Sequence, residues 1–177
     1  MNRSQLEHII RAAGDIAEDA EIVVIGSAAV FAQLPDLPET VVPSIEADVF
    51  PLNKPDRSDL IDGTIGELSP FHETFGYYAH GVSPETAGNL PKNWKQRLIR
   101  IDNSRTGGIA GLCLEIHDLV AGKYVSAREK DLRLARLLIG FRAIDRRKLL
   151  NRVKELNVPV ARKMAIKARI VADFSSR

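Results

Sequence analysis

Glu46 and Asp48 are separated by a single residue within the run Ser44-Ile-Glu-Ala-Asp-Val-Phe50. Ile45, Ala47 and Val49 alternate with the two acids, the period-two pattern of a strand, so the pleat puts both carboxylates on one face. Oxygens held at that spacing suit a hard cation such as Mg²⁺, which prefers oxygen ligands and usually bridges to substrate phosphates. Upstream, Glu21-Ile-Val-Val-Ile25 is a short β-branched run followed by Gly26-Ser27. It reads as a buried strand leaving through a tight turn into a helix that begins near Ala28. A helix start exposes unpaired amides, and a glycine there lets an anionic phosphate approach the chain. Gly26 and Ser27 are candidate triphosphate-binding residues, and Glu46 and Asp48 candidate metal ligands with a catalytic role. A Gly-Ser after a strand is also an ordinary turn, and alternating acids ordinarily face water. Their conjunction describes a metal-assisted phosphoryl site with an NTP as substrate.

That order of features, Val24-Ile25-Gly26-Ser27 and then Glu46-Ala47-Asp48, resembles the DNA polymerase beta-type nucleotidyltransferase superfamily. A second stretch, Leu114-Glu-Ile-His-Asp-Leu-Val-Ala-Gly-Lys123 running into Ala127-Arg-Glu-Lys-Asp-Leu132, resembles the helical segment of the abortive-infection (AbiEii-like) toxin nucleotidyltransferases. The likeness spans roughly residues 20 to 135. It implies that Lys123 contacts nucleotide phosphates, with Arg128 nearby, and that Asp131 supports the site. A compact ammonium offsets triphosphate charge, and an acid in the first turn of a helix is favoured by the dipole. The same residues also read as a surface charge pattern in which Arg128 to Asp131 start a helix. The resemblance further implies a toxin–antitoxin or phage-defence setting, RNA or tRNA as acceptor, and a cognate antitoxin as partner. Two departures stand out: Ser27 and Glu46 lie 19 positions apart, a longer gap than usual in the family, and Glu stands where Asp is commoner. A third carboxylate has no clear equivalent. Asp102 and Glu115 are candidates, and His80 is offered by an earlier strand as a general base.

The elements that must position these residues follow from periodicity. Leu6, Ile9, Ile10, Ala13 and Ile16 recur at helical spacing over residues 3 to 18. Residues 35 to 43 hold three prolines and should connect irregularly. Asp56 to Glu67 suits a helix, with Leu60, Ile61 and Ile65 inward. Phe75 to Val82, Gln96 to Ile101 and Gly111 to Ile116 suit strands. Beyond residue 117, helices are expected near 117–126, 129–141, 145–156 and 160–174. The fold class is α/β (α+β): a nucleotidyltransferase-like mixed sheet flanked by helices over residues 1–116, and a C-terminal helical bundle over 117–177 packed on that core.

The 177 residues, 45% hydrophobic and 27% charged, fit a globular chain and exclude disordered or collagen-like classes. A lone Cys113 excludes an internal disulfide, and the scattered His8, His72, His80 and His117 show no zinc spacing. Cys113 reads as core filler, Trp94 as a cover for the sheet or a base-stacking ring, and Thr106 to Gly111 as turns. Apolar runs are too short to span a membrane, and the N-terminal stretch does not read as a signal peptide, so a cytoplasmic protein is expected. The net charge of +2 hides a basic end: residues 142–177 hold 11 Lys/Arg against 3 Asp/Glu. Such helices could hold the phosphates of an RNA acceptor, or simply present a solvated face. A catalytically silent domain of the same fold, binding nucleotide, RNA or a partner protein, is the alternative, and a helical interaction domain built on residues 142–177 is a third.

Overall fold

The computed structural model describes residues 1–38 and 40–175; Glu39, in the proline-rich connection, and Arg177, counted in the basic tail, lie outside them. The chain divides into two compact units, Met1–Ala87 with Arg97–Glu115, and Gly88–Gln96 with Ile116–Arg177.

In the first unit, helix α1 (Arg3–Ala17) is started by a capping box, in which the Asn2 side chain accepts from the Gln5 amide and Gln5 returns the bond to the Asn2 amide. Its stripe of Leu6, Ile9, Ile10, Ala13 and Ala17 is fully buried. Strands β1 (Glu21–Val24), β2 (Glu46–Pro51), β3 (Tyr78–Gly81), β4 (Ile99–Ile101) and β5 (Ala110–Cys113) form one mixed sheet in the order β3-β2-β1-β5-β4. β1 runs antiparallel to β2 and parallel to β5; β2 runs parallel to β3, and β4 antiparallel to β5. Helices α2 (Ser58–Ile65) and α3 (Pro70–Phe75) connect β2 to β3, as a parallel pair requires a crossover. Buried Asp19 anchors the end of this crossover nearer β2: its carboxylate accepts from the amides of Glu21, Asn53 and Lys54 and from the Asn53 side chain. Burial alone would raise that carboxyl, but these hydrogen bonds win and hold it below its usual value.

Several expectations shift at the ends, among them the strand expected over Gly111–Ile116, which ends at Cys113 because Ile116 already opens a helix. The helix expected from Ala28 is a six-residue 3-10 helix, Ser27–Ala32, because Ala28, Ala29, Val30 and Phe31 are all buried and no polar face is available to a longer amphipathic helix before Pro35. The strand expected from Phe75 starts only at Tyr78. Ser69 caps α3 by accepting from the His72 amide, and Gly76 ends it in the left-handed conformation (φ 74°) that glycine adopts without penalty. The strand expected from Gln96 starts at Ile99, since Trp94–Arg97 forms a 3-10 turn.

The second unit holds helices α4 (Ile116–Ser126), α5 (Glu129–Gly140), α6 (Arg146–Glu155) and α7 (Val160–Ser175). Residues 88–96 group with them, tied by the Lys92 amide donating to the Glu155 carbonyl at 3.1 Å. Asp118 on α4, fully buried, pairs with the Arg152 guanidinium of α6 at 3.0 Å. Asp145 caps α6 while its own amide donates to His117 Nε2 at 3.0 Å. Tyr124 donates its hydroxyl to Asp173 of α7 at 2.8 Å. No helix among the described residues is long and apolar enough to cross a membrane.

Candidate functional site

Glu46 and Asp48 project from the same face of β2, both half-buried, while Ala47 and Val49 between and beyond them are fully buried. The parallel register sets Tyr78 opposite Glu46 and His80 opposite Asp48. Both acids use that pairing. Tyr78 donates its hydroxyl to Glu46 Oε2 at 3.1 Å, and His80 Nδ1 lies 3.1 Å from Asp48 Oδ1. Burial, and then the Glu46 carboxylate beside it, push the Tyr78 hydroxyl up to about 12, so it remains a protonated donor at any physiological pH.

The Gly26-Ser27 bend meets Asp48 directly. The Ile25 amide donates to the Asp48 carbonyl at 3.0 Å, which brings the end of β1 beside the second acid. A Cβ built on Gly26 would collide with the Asp48 carboxylate. Gly26 is extended (φ −79°), a conformation open to any residue, so it is space rather than backbone freedom that requires glycine here. Bare backbone therefore lies against the Asp48 carboxylate, with Glu46 two residues away on the same strand face. This donor set fits a divalent cation such as Mg²⁺. Among the described residues no group of three His, Cys, Asp or Glu side chains forms a metal site by itself, so phosphate oxygens or water would have to complete a cation's shell.

Lys123, Arg128 and Asp131 meet in the second unit. Asp131, 1% exposed, accepts from Lys123 Nζ at 2.8 Å on one oxygen and from Arg128 Nε at 2.7 Å on the other. Burial alone would raise its carboxyl, but the two cations prevail and hold it below the usual carboxylate range. The helices carrying these groups are joined by Ala127, whose left-handed backbone (φ 53°) turns the chain tightly between α4 and α5.

The remaining candidates separate. Asp102 pairs with Arg100 at 3.0 Å just past β4, the outer strand on the far side of the sheet from β2. It is not brought to the acid pair. Glu115 follows β5, half-buried. Cys113 is fully buried and its thiol is pushed up to about 12 by that burial, as suits core filler. Trp94 is half-buried with the Lys95 ammonium 5.8 Å from its ring centroid. The residue sequence reasoning passed over is Tyr78. Its signal was present, since Tyr78 and His80 are two apart on one strand, as Glu46 and Asp48 are.

A mixed sheet whose second strand carries acid-x-acid beside a Gly-Ser bend, with helices flanking it and four more at the C-terminal end, is a nucleotidyltransferase-like fold. The chain belongs to a family described as a nucleotidyltransferase of unknown function (DUF6036), whose profile matches residues 4–165. Comparison with curated proteins and with solved structures returns no match.

Proposed function

We propose that this chain transfers a nucleoside monophosphate from an NTP to an acceptor hydroxyl, breaking the bond between the α- and β-phosphates and releasing pyrophosphate, with Glu46 and Asp48 holding Mg²⁺. The observation that carries this reading is the contact between the Asp48 carboxylate and the side-chain-free Gly26, which sets bare backbone against the second acid of the pair. Bound there, Mg²⁺ would neutralise charge on the phosphate oxygens. Gly26 and Ser27 receive the triphosphate. Tyr78 keeps one Glu46 oxygen in place through its hydrogen bond, and His80, in contact with Asp48, takes the proton from the acceptor hydroxyl. Lys123 and Arg128 bind phosphate while Asp131 orients them, a role supported by their shared contact with its two oxygens.

The acceptor we infer is RNA, tRNA included, held by the exposed Arg146, Arg147, Lys148 and Lys154 of α6. The resemblance to AbiEii-like toxins supports a toxin–antitoxin setting with a cognate antitoxin. A second reading, a catalytically silent domain that binds nucleotide or RNA, is favoured by one observation: the group facing Asp48 across the strands is a histidine and not a third acid. Incubation with labelled NTPs, Mg²⁺ and total RNA separates the two. Label transfer that falls at least about 100-fold in Glu46→Gln and Asp48→Asn supports catalysis; RNA binding without transfer supports the silent domain.

A further inference from the structure

Helix α7 is amphipathic in an unusual sense. Ile166 and Ile170 are buried on one side. The opposite side carries Val160, Ala161, Met164, Ala165, Ala168 and Val171, all exposed, over an arc of roughly 140° with no polar side chain but Ser175 near its end. Val160 is 73% and Met164 66% exposed. Ala161, Met164, Ala168 and Val171 follow the three-four spacing of a helix-packing seam, and alanines let a second helix approach closely. Cations border the arc on both sides: Arg162 and Arg169 along one edge, Lys163 and Lys167 along the other. The Arg162 and Lys163 heads rest on the carbonyls of Val125 and Lys154, which leaves their charge unneutralised. The acid on this helix, Asp173, is already engaged by Tyr124 and Arg136.

We propose that the outer face of α7 docks an amphipathic helix of a partner protein, one whose apolar stripe is bordered by Asp and Glu. Charge chooses this occupant. A second copy of the chain would bring the Arg162/Arg169 and Lys163/Lys167 edges against one another with no acid to meet them. A nucleic acid would find in the arc only the Ser175 hydroxyl, already donated to the Val171 carbonyl, where phosphates would need free donors. A membrane surface is poorly served by a face half of which is alanine, without the Leu, Phe or Trp that anchor interfacial helices. Acidic flanks satisfy both edges at once while the apolar seams close. The inference does not depend on the transfer reaction, because it concerns a face whose residues take no part in the proposed site.

A displayed library of helices with a fixed apolar seam and randomised flanking positions, selected on the full chain, tests it. Recovered helices should be enriched in Asp and Glu at the flanks. Their binding should weaken with added salt, and should fall at least about ten-fold on Ala168→Glu or Met164→Glu. Both positions are exposed and glutamate is a good helix former, so circular dichroism should be unchanged. Recovery of no binders, neutral or basic flanks, or binding indifferent to Ala168→Glu would overturn the proposal. So would sedimentation showing self-association, or binding to anionic phosphatidylserine vesicles, that Ala168→Glu abolishes.

Discussion

The ammonium of Lys123 and the carboxylate of Asp131, eight residues apart and on successive helices, meet at 2.8 Å with the carboxylate almost wholly out of solvent. Removing one partner from such a buried pair leaves the other uncompensated. Asp131→Asn should therefore destabilise the protein by about 2–4 kcal/mol at neutral pH in denaturant titration. The folded Asp131 carboxyl lies below its unfolded value of about 3.9. Its stabilisation is thus fully present above that value and is lost as pH falls through the lower, folded one. The gap between wild type and Asp131→Asn should narrow as the titration is repeated in steps toward pH 3, and a gap that stays constant would contradict the pairing.

Ala127 gives the same corner a second test. A non-glycine residue at φ 53° carries a backbone penalty, and glycine there would relieve it. Ala127→Gly should change stability by less than about 1 kcal/mol, with relief of strain set against the greater freedom of glycine in the unfolded chain. Ala127→Val, which adds a β-branched side chain to a left-handed position, should lower the midpoint of thermal unfolding clearly.

Gly26→Ala separates geometry from stability. The new Cβ meets the end of the Asp48 side chain, which can rotate away. The stability cost should be about 1 kcal/mol. The displaced carboxylate is one of the two proposed to hold the metal, so NTP-dependent transfer should fall at least about ten-fold. Equal losses of stability and activity would argue that Gly26 serves packing alone.

Much of this arrangement was legible in the order of residues. The acids alternating with Ile45, Ala47 and Val49 read as one strand face, and that is how β2 presents them. The helices from residue 116 onward agree with their apolar spacing to within about two residues at either end. What was not legible depended on neighbours distant in the chain. Nothing in Phe75 to Val82 states that the run begins one turn late, because the Ser69 cap and the Gly76 stop compete with its strand pattern. Nor does a pattern two residues wide reveal that Tyr78 sits opposite Glu46, which is a matter of inter-strand register.

Tyr78→Phe isolates that register. It deletes one hydroxyl and leaves the ring, so stability should fall by about 0.5–1.5 kcal/mol. A carboxylate released from its donor is less well oriented, and transfer should drop several-fold in kcat with little change in KM for the NTP. A purely structural tyrosine would leave kcat unchanged in protein that remains folded.

β2 is hydrogen-bonded to a neighbour along each flank, β1 on one side and β3 on the other. A strand clamped twice over cannot slide or breathe independently, so the backbone positions from which Glu46 and Asp48 project are settled before any ligand arrives. On the proposed reading, whatever accommodation a triphosphate demands must then come from the Gly26-Ser27 bend and from rotation of the two carboxylates, on a backbone that itself stays put.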